Sequence, residues 1–130
     1  VKEEKYIIDT DILFSKEYLQ FKEKSVVTLI TLYEFITLIR RKYIDILKTG
    51  NKSRAEGYIK FLNLVIRDIK DSILEISKND ILDAVNLVFN RNIDVGDAIN
   101  TIVALRIGAK IISKDKDYER VKDLIEVIRP

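Results

Sequence analysis

Apolar residues follow two rhythms along the chain. Short runs rich in Ile and Val stand at residues 5–9 (KYIID), 25–30 (SVVTLI), 72–76 (SILEI), 109–113 (AKIIS) and 124–128 (LIEVI). Each is too short for a helix, so each predicts a buried strand. Between them apolar residues return every three or four positions, the period of an amphipathic helix. Residues 11–24 predict a first helix with Ile12, Leu13, Tyr18, Leu19 and Phe21 as its apolar contacts. Residues 31–48 predict a long one, carried by Leu32, Phe35, Ile36, Ile39, Tyr43, Ile46 and Leu47 and stopped by Gly50 and Asn51. Residues 53–70 keep the period through Ala55, Ile59, Leu62, Ile66 and Ile69, while Phe61 and Leu64 widen the stripe. So wide a stripe suggests burial on two sides, one of them against a partner. Helices over 78–90, 94–108 (ended by Gly108) and 116–123 complete the pattern.

Strands this short and apolar, alternating with helices, predict an α/β fold: a central parallel β-sheet flanked by helices on both faces. The 130 residues suit one such domain spanning 1–130. Ligands of parallel sheets bind in the crevice beyond the carboxyl ends of the strands, so the residues just after each strand carry the functional question.

Composition narrows the chemistry. With no cysteine and no histidine, thiolate nucleophiles, Ser-His-Asp catalysis and imidazole-bound zinc are all excluded. Carboxylates, lysines, hydroxyls or a bound ion remain. A net charge of +2 neither requires nor forbids a nucleic-acid partner. No apolar run is long enough to span a bilayer and no signal-peptide pattern opens the sequence, so the expectation is a soluble cytoplasmic protein without a membrane. The Ile, Lys and Glu usage resembles that of thermophiles, although the many asparagines equally fit an AT-rich genome.

Acidic residues stand where a parallel sheet would gather them. Asp9 ends the first strand, and its ordinary role would be to cap the following helix. Glu34 lies three residues after Thr31, which reads as a capping box. Asp94 and Asp97 both open a helix, where the helix dipole favours acids. Yet Asp97, Thr101, Ala104 and Gly108 form one row, small after the first, that lets the helix pack closely with its carboxylate at the rim. Asp115 and Asp117 follow the fourth strand, where aspartate is usual in turns. Each ordinary role is respectable alone. Together Asp9, Glu34, Asp97 and Asp115 would converge on one crevice, with Asp117 beside them. Clustered carboxylates repel one another and need cations; hard oxygen ligands select Mg²⁺ or Mn²⁺. Such ions activate water and shield charge on a phosphodiester.

The set IIDTDIL, Glu34 early in the helix after the second strand, GDAINTIVAL and IISKDKDY resembles the PIN-domain nucleases, especially the VapC-like toxins of prokaryotic toxin–antitoxin pairs. The resemblance runs from the first strand to the last. It implies a parallel sheet, an acidic pocket for Mg²⁺ or Mn²⁺, and cleavage of RNA, with a homodimer and a small antitoxin as partners. It assigns catalytic and metal-binding roles to Asp9, Glu34, Asp97 and Asp115, with Asp117 a further metal ligand. Ser113 stands for the usual threonine and Tyr118 for the usual phenylalanine, and neither change removes an acid. The basic residues Arg40, Arg41, Lys42, Lys48, Lys52, Arg54 and Lys60 are candidates for holding phosphates.

Two other Asp-bearing folds fit less well. A haloacid-dehalogenase phosphatase would need small residues after Asp11, where Ile12 and Leu13 stand, and a receiver domain would need an aspartate at the end of ILEIS. The remaining alternative is a PIN-like scaffold that binds RNA or protein without cutting.

Overall fold

The computed structural model describes residues 4–130. Five strands, β1 (Tyr6–Ile8), β2 (Ser25–Thr28), β3 (Ile73–Leu74), β4 (Lys110–Ile112) and β5 (Val127–Ile128), form one sheet in the order β3-β2-β1-β4-β5. Every pairing is parallel, with Tyr6 opposite Ser25 on one side and Lys110 on the other. Side chains alternate across a strand, and the core divides accordingly. Ile7, Ile111, Val26 and Val127 face α4 (Lys78–Asn90) and α5 (Val95–Ile107). Ile8, Ile112, Val27 and Ile128 face α1 (Thr10–Phe14), α2 (Leu29–Lys48) and α3 (Lys52–Ile69). The expected two-faced α/β architecture is present.

The local differences from the expected elements have physical causes. The helix expected over 11–24 stops at Phe14 and continues as short 3-10 turns over Glu17–Gln20 and Lys22–Lys24. Ser15 turns its hydroxyl back to the Ile12 carbonyl and accepts from the Glu17 amide, offering the backbone an alternative to the helix. Lys16 then takes a left-handed φ of 67°. Leu19, expected in the core, is 52% exposed. The helix expected over 31–48 begins at Leu29, because the Thr28 hydroxyl caps it by accepting from the Thr31 amide. The Thr31–Glu34 capping box is therefore absent, and Glu34 sits a full turn inside the helix. Residues 116–121 form a 3-10 segment instead of an α-helix, and the strands expected at 72–76 and 124–128 shorten to two residues each.

Phe61 is also placed differently. It packs edge-on against Phe14 and Phe35, at centroid distances of 5.8 and 6.0 Å, within its own chain. Only Leu64 of that pair is exposed. Among the described residues no helix is long and apolar enough to cross a membrane.

Candidate active site

Asp9 follows β1 directly, and the next turn of chain folds it into the sheet edge. Its amide donates to the Ile112 carbonyl at 3.1 Å, which continues the β1–β4 ladder by one residue. Its side chain makes no cap bond to α1; instead Oδ2 accepts from the Ser113 hydroxyl at 2.7 Å. Ser113 Oγ accepts in turn from the Asp115 amide. The hydroxyl retained at this position thus couples the acid after β1 to the acid after β4.

Asp97 comes from α5, a helix buried through most of its length. Asp94 is the N-cap residue of α5 but makes no side-chain cap bond, so the capping roles open to these two acids are not taken. A buried network fixes α5 against α2: Thr28 donates to Asn100 Oδ1 at 2.6 Å, and Asn100 Nδ2 donates to Thr31 Oγ1 at 2.8 Å. That network sets the helix bearing Glu34 beside the helix bearing Asp97. Asp115 does make the turn that its sequence position suggests, accepting from the Asp117 amide at 2.9 Å.

The outcome is a cleft of about 300 Å³ lined by Asp9, Thr10, Asp11, Glu34, Leu38, Arg41, Asp94, Asp97 and Asp115. One carboxylate oxygen each of Asp9, Asp97 and Asp115 lie within 4.8 Å of one another. A second triplet of the same compactness joins Asp94, Asp97 and Asp117, so Asp97 is common to both. Asp117 also lies 3.4 Å from the Arg120 guanidinium. Glu34 lines the cleft but stands outside both triplets. Its carboxylate lies against Gly96 in the first turn of α5, where an added Cβ would come within 2.4 Å of Oε1 and 2.6 Å of Oε2.

The electrostatics match a site short of positive charge. Burial, opposed by the Ser113 hydrogen bond and reinforced by the charges of Asp11 and Asp115, leaves Asp9 pushed up to about 6. Burial and the charges of Asp9, Asp94 and Asp115 push Glu34 up to about 7. Burial, Asp9 and Asp115 push Asp97 up to about 8, against the opposing effect of the neighbouring Tyr118 hydroxyl. Burial also raises Asp11, against the hydrogen bond it accepts from the Lys114 amide. Among the described residues, buried side-chain oxygens without a partner are Thr10 Oγ1, Asp11 Oδ1, Asp97 Oδ2 and the Tyr118 hydroxyl. The first three belong to residues lining this cleft. Buried oxygens are rarely left unsatisfied without a reason. A hard divalent cation is the ligand that would satisfy carboxylates in this crowding.

Sequence reasoning singled out Asp9, Glu34, Asp97, Asp115 and Asp117, and all five reach this edge of the sheet. It read Asp94 only as a helix-start acid and gave neither Asp11 nor Gly96 a role. The glycine directly before Asp97 in DVGDA was the available signal, since glycine in a first helical turn asks what approaches its backbone.

The structure thus defines an α/β protein with a parallel sheet and carboxylates gathered beyond its strand ends. The PIN domain model matches residues 6–124, and the chain belongs to the PIN domain family. No curated protein matches the sequence significantly. Among solved structures, the fold is similar to that of PAE2754 from Pyrobaculum aerophilum (TM-score 0.71, 17% identity, 95% of this chain and 84% of that one). It is similar to VapBC-1 from nontypeable Haemophilus influenzae (TM-score 0.60, 18% identity, 95% and 96%). A toxin–antitoxin complex from Klebsiella pneumoniae also matches (TM-score 0.55, 21% identity, 96% and 97%).

Proposed function

We propose that the chain is a Mg²⁺- or Mn²⁺-dependent endoribonuclease and the toxin of a VapBC-type toxin–antitoxin pair. The observation that carries this reading is the triplet Asp9, Asp97 and Asp115, with Asp97 Oδ2 buried and unpartnered beside it. PIN-family membership and neighbours solved as toxin–antitoxin complexes support it.

In this reading Asp9, Asp97 and Asp115 would hold the cation, and Asp94 and Asp117 would be further carboxylates within its reach. When bound, such an ion supplies Lewis-acid charge that acidifies water and offsets negative charge building on the phosphodiester. Glu34 orients the attacking water and takes its proton at a carboxylate oxygen. The water oxygen bonds to phosphorus, the phosphorus–sugar oxygen bond breaks, and the leaving oxygen is protonated from solvent. Arg41, on the rim of the cleft, meets a phosphate of the substrate. Ser113 keeps Asp9 aimed into the cleft.

The purified chain should cut single-stranded RNA with Mg²⁺ or Mn²⁺, stop on EDTA, and recover when the ion returns. Asp9→Asn should lose at least roughly 100-fold in rate while keeping its thermal midpoint, as for removal of a central electrostatic group. Cleavage that survives chelation would sink this reading, since no histidine is present for a metal-free route. A scaffold that binds without cutting is disfavoured by the complete acid set.

We also infer a homodimer that binds a small antitoxin. Exposed apolar side chains concentrate on α4, where Ile81, Leu82, Val85 and Phe89 share one face and Phe89 is 81% exposed. That face, more than 53–70, supplies the surface a partner would cover. Light scattering should show a dimer that Leu82→Glu/Phe89→Glu reduces to a monomer; a wild-type monomer would remove the argument.

A further inference from the structure

A second groove, of about 190 Å³, lies between α1 and α3 and is lined by Phe14, Arg54, Gly57, Tyr58 and Phe61. It adjoins the carboxylate cleft twice over. Asp11 and Phe14 lie one turn apart on α1, and Arg41 of the cleft precedes Lys42, whose Nζ lies 4.9 Å above the Phe14 ring. Lys16 Nζ lies 5.7 Å from the Phe61 ring centre. Among the described residues, Lys16, Arg41, Lys42 and Arg54 form no ion pair. The groove therefore combines an aromatic floor with Arg54 in its lining and Lys16 and Lys42 over its rings, and among the described residues no acid lines it.

Gly57 is an independent sign. It lies inside α3, where glycine weakens a helix relative to alanine. Its φ is not in the left-handed range, and a Cβ there would meet nothing within 4 Å. Neither backbone geometry nor packing within the chain calls for glycine here. What the missing side chain leaves is open space on the aromatic floor.

We infer that this groove is a nucleobase subsite for single-stranded RNA. An unpaired base stacks on the aromatic floor in the space left by Gly57, flanking phosphates meet Lys16, Lys42 and Arg54, and a neighbouring phosphodiester is carried toward the carboxylates. Base–aromatic stacking with flanking cations is how single strands are held without sequence readout. An apolar peptide would use the floor and leave the cations unmatched. A duplex would match the cations and leave the floor empty. Single-stranded RNA uses both.

The subsite rests on the ribonuclease reading, and the test separates the two. In an Asp9→Asn background with Mg²⁺, anisotropy of a short fluorescein-labelled single-stranded RNA of mixed sequence reports binding without cleavage. Gly57→Leu should weaken that binding roughly tenfold or more, the scale of one lost base stack. It should leave the thermal midpoint and the affinity for duplex RNA of the same sequence unchanged. Lys42→Gln/Arg54→Gln, both surface changes, should flatten the log–log salt dependence by roughly 0.7 per lost phosphate contact, which keeps the test alive if Gly57→Leu fails to fold. Parent-like binding by Gly57→Leu, or an unchanged salt slope, overturns the subsite, while wild-type cleavage then leaves the ribonuclease reading standing. Loss of complex with a co-expressed antitoxin, with RNA binding intact, assigns the groove to the protein partner and also overturns it. Absence of both cleavage and RNA binding overturns both readings.

Discussion

Asp80 and Asp97 are buried almost equally, at 2% and 7% exposure, yet their surroundings are opposite. Asp80 receives Arg106 Nε and Nη2, both at 2.9 Å, and completes a capping box with Ser77 at the start of α4. Burial pushes its carboxyl up, but the Arg106 and Ser77 bonds outweigh that and hold it below the usual range. Among the described residues Asp97 forms no ion pair, and Arg41 is the one cation lining its cleft. It shares its cleft with Asp9, Glu34 and Asp115, and one of its oxygens is unpartnered. Burial alone therefore does not mark a functional acid. The distinction is whether the chain supplies the opposite charge. Around Asp80 it does, and around Asp97 a single arginine, Arg41, faces five carboxylates besides that of Asp97 itself.

Asparagine at the two positions sharpens this contrast most. Asp80→Asn strands Arg106 and should destabilise the fold by roughly 2–3 kcal/mol, below the usual cost of breaking a buried pair because Arg106 is half-exposed. Asp97→Asn removes a charge that repels its neighbours. It should leave the metal-free protein as stable or more so, with the gain larger at pH 9 than at pH 6, and abolish Mg²⁺-dependent cleavage. Thermal melts of both variants decide the matter. Equal losses would mean that Asp97 is structural and the contrast false.

The pH dependence follows from the same asymmetry. Asp9, Glu34 and Asp97 bind their protons more tightly folded than unfolded, with folded values of about 6, 7 and 8. The folded state thus carries more protons than the unfolded chain, and stability falls as pH rises. Their contribution is fully present below the ordinary carboxylate range and is lost progressively up to about pH 8. Asp80 acts oppositely: its contribution is present above the ordinary range and is lost as acid reaches its lowered folded value. Mg²⁺ should raise the thermal midpoint most near pH 8, where it offsets charges the fold leaves bare, and least near pH 5. A midpoint equally sensitive to Mg²⁺ at both values would argue against ion binding at these acids.

Much of this site could be read from residues alone, because a buried parallel strand followed by aspartate is a local pattern. Asp9 follows β1 directly, Asp115 comes three residues after the end of β4, and the period of 94–108 placed Asp97 on a close-packed row. What escaped depends on competition between equivalent signals. Thr28 and Thr31 can each cap α2, and the buried bonds of both to Asn100 belong to the tertiary structure. The helix at 11–24 carried no glycine or proline to announce its end, which Ser15 and Lys16 decide through their own geometry. Phe61 looked superfluous to the core because helical spacing cannot show that Phe14, from another element, packs against it.

Gly96 gives the finest test, because its expected effect is confined to one side chain. Alanine there would set its Cβ 2.4 Å from Glu34 Oε1, so something must move. The nearest atoms are the far end of a flexible side chain, and displacing them costs the fold little. Alanine also favours the helix over glycine by up to about 1 kcal/mol. Gly96→Ala should therefore melt at or slightly above the wild-type temperature. The displaced carboxylate, however, no longer faces the cleft from the α5 side, and Mn²⁺ affinity measured by calorimetry without RNA should fall roughly tenfold, the scale seen when the support around a metal site is disturbed. In a Glu34→Ala background the same substitution should change affinity hardly at all, since the group it displaces is gone. A loss of similar size in both backgrounds would show that Ala at this position perturbs α5 itself, and Glu34 would then owe its place to other contacts.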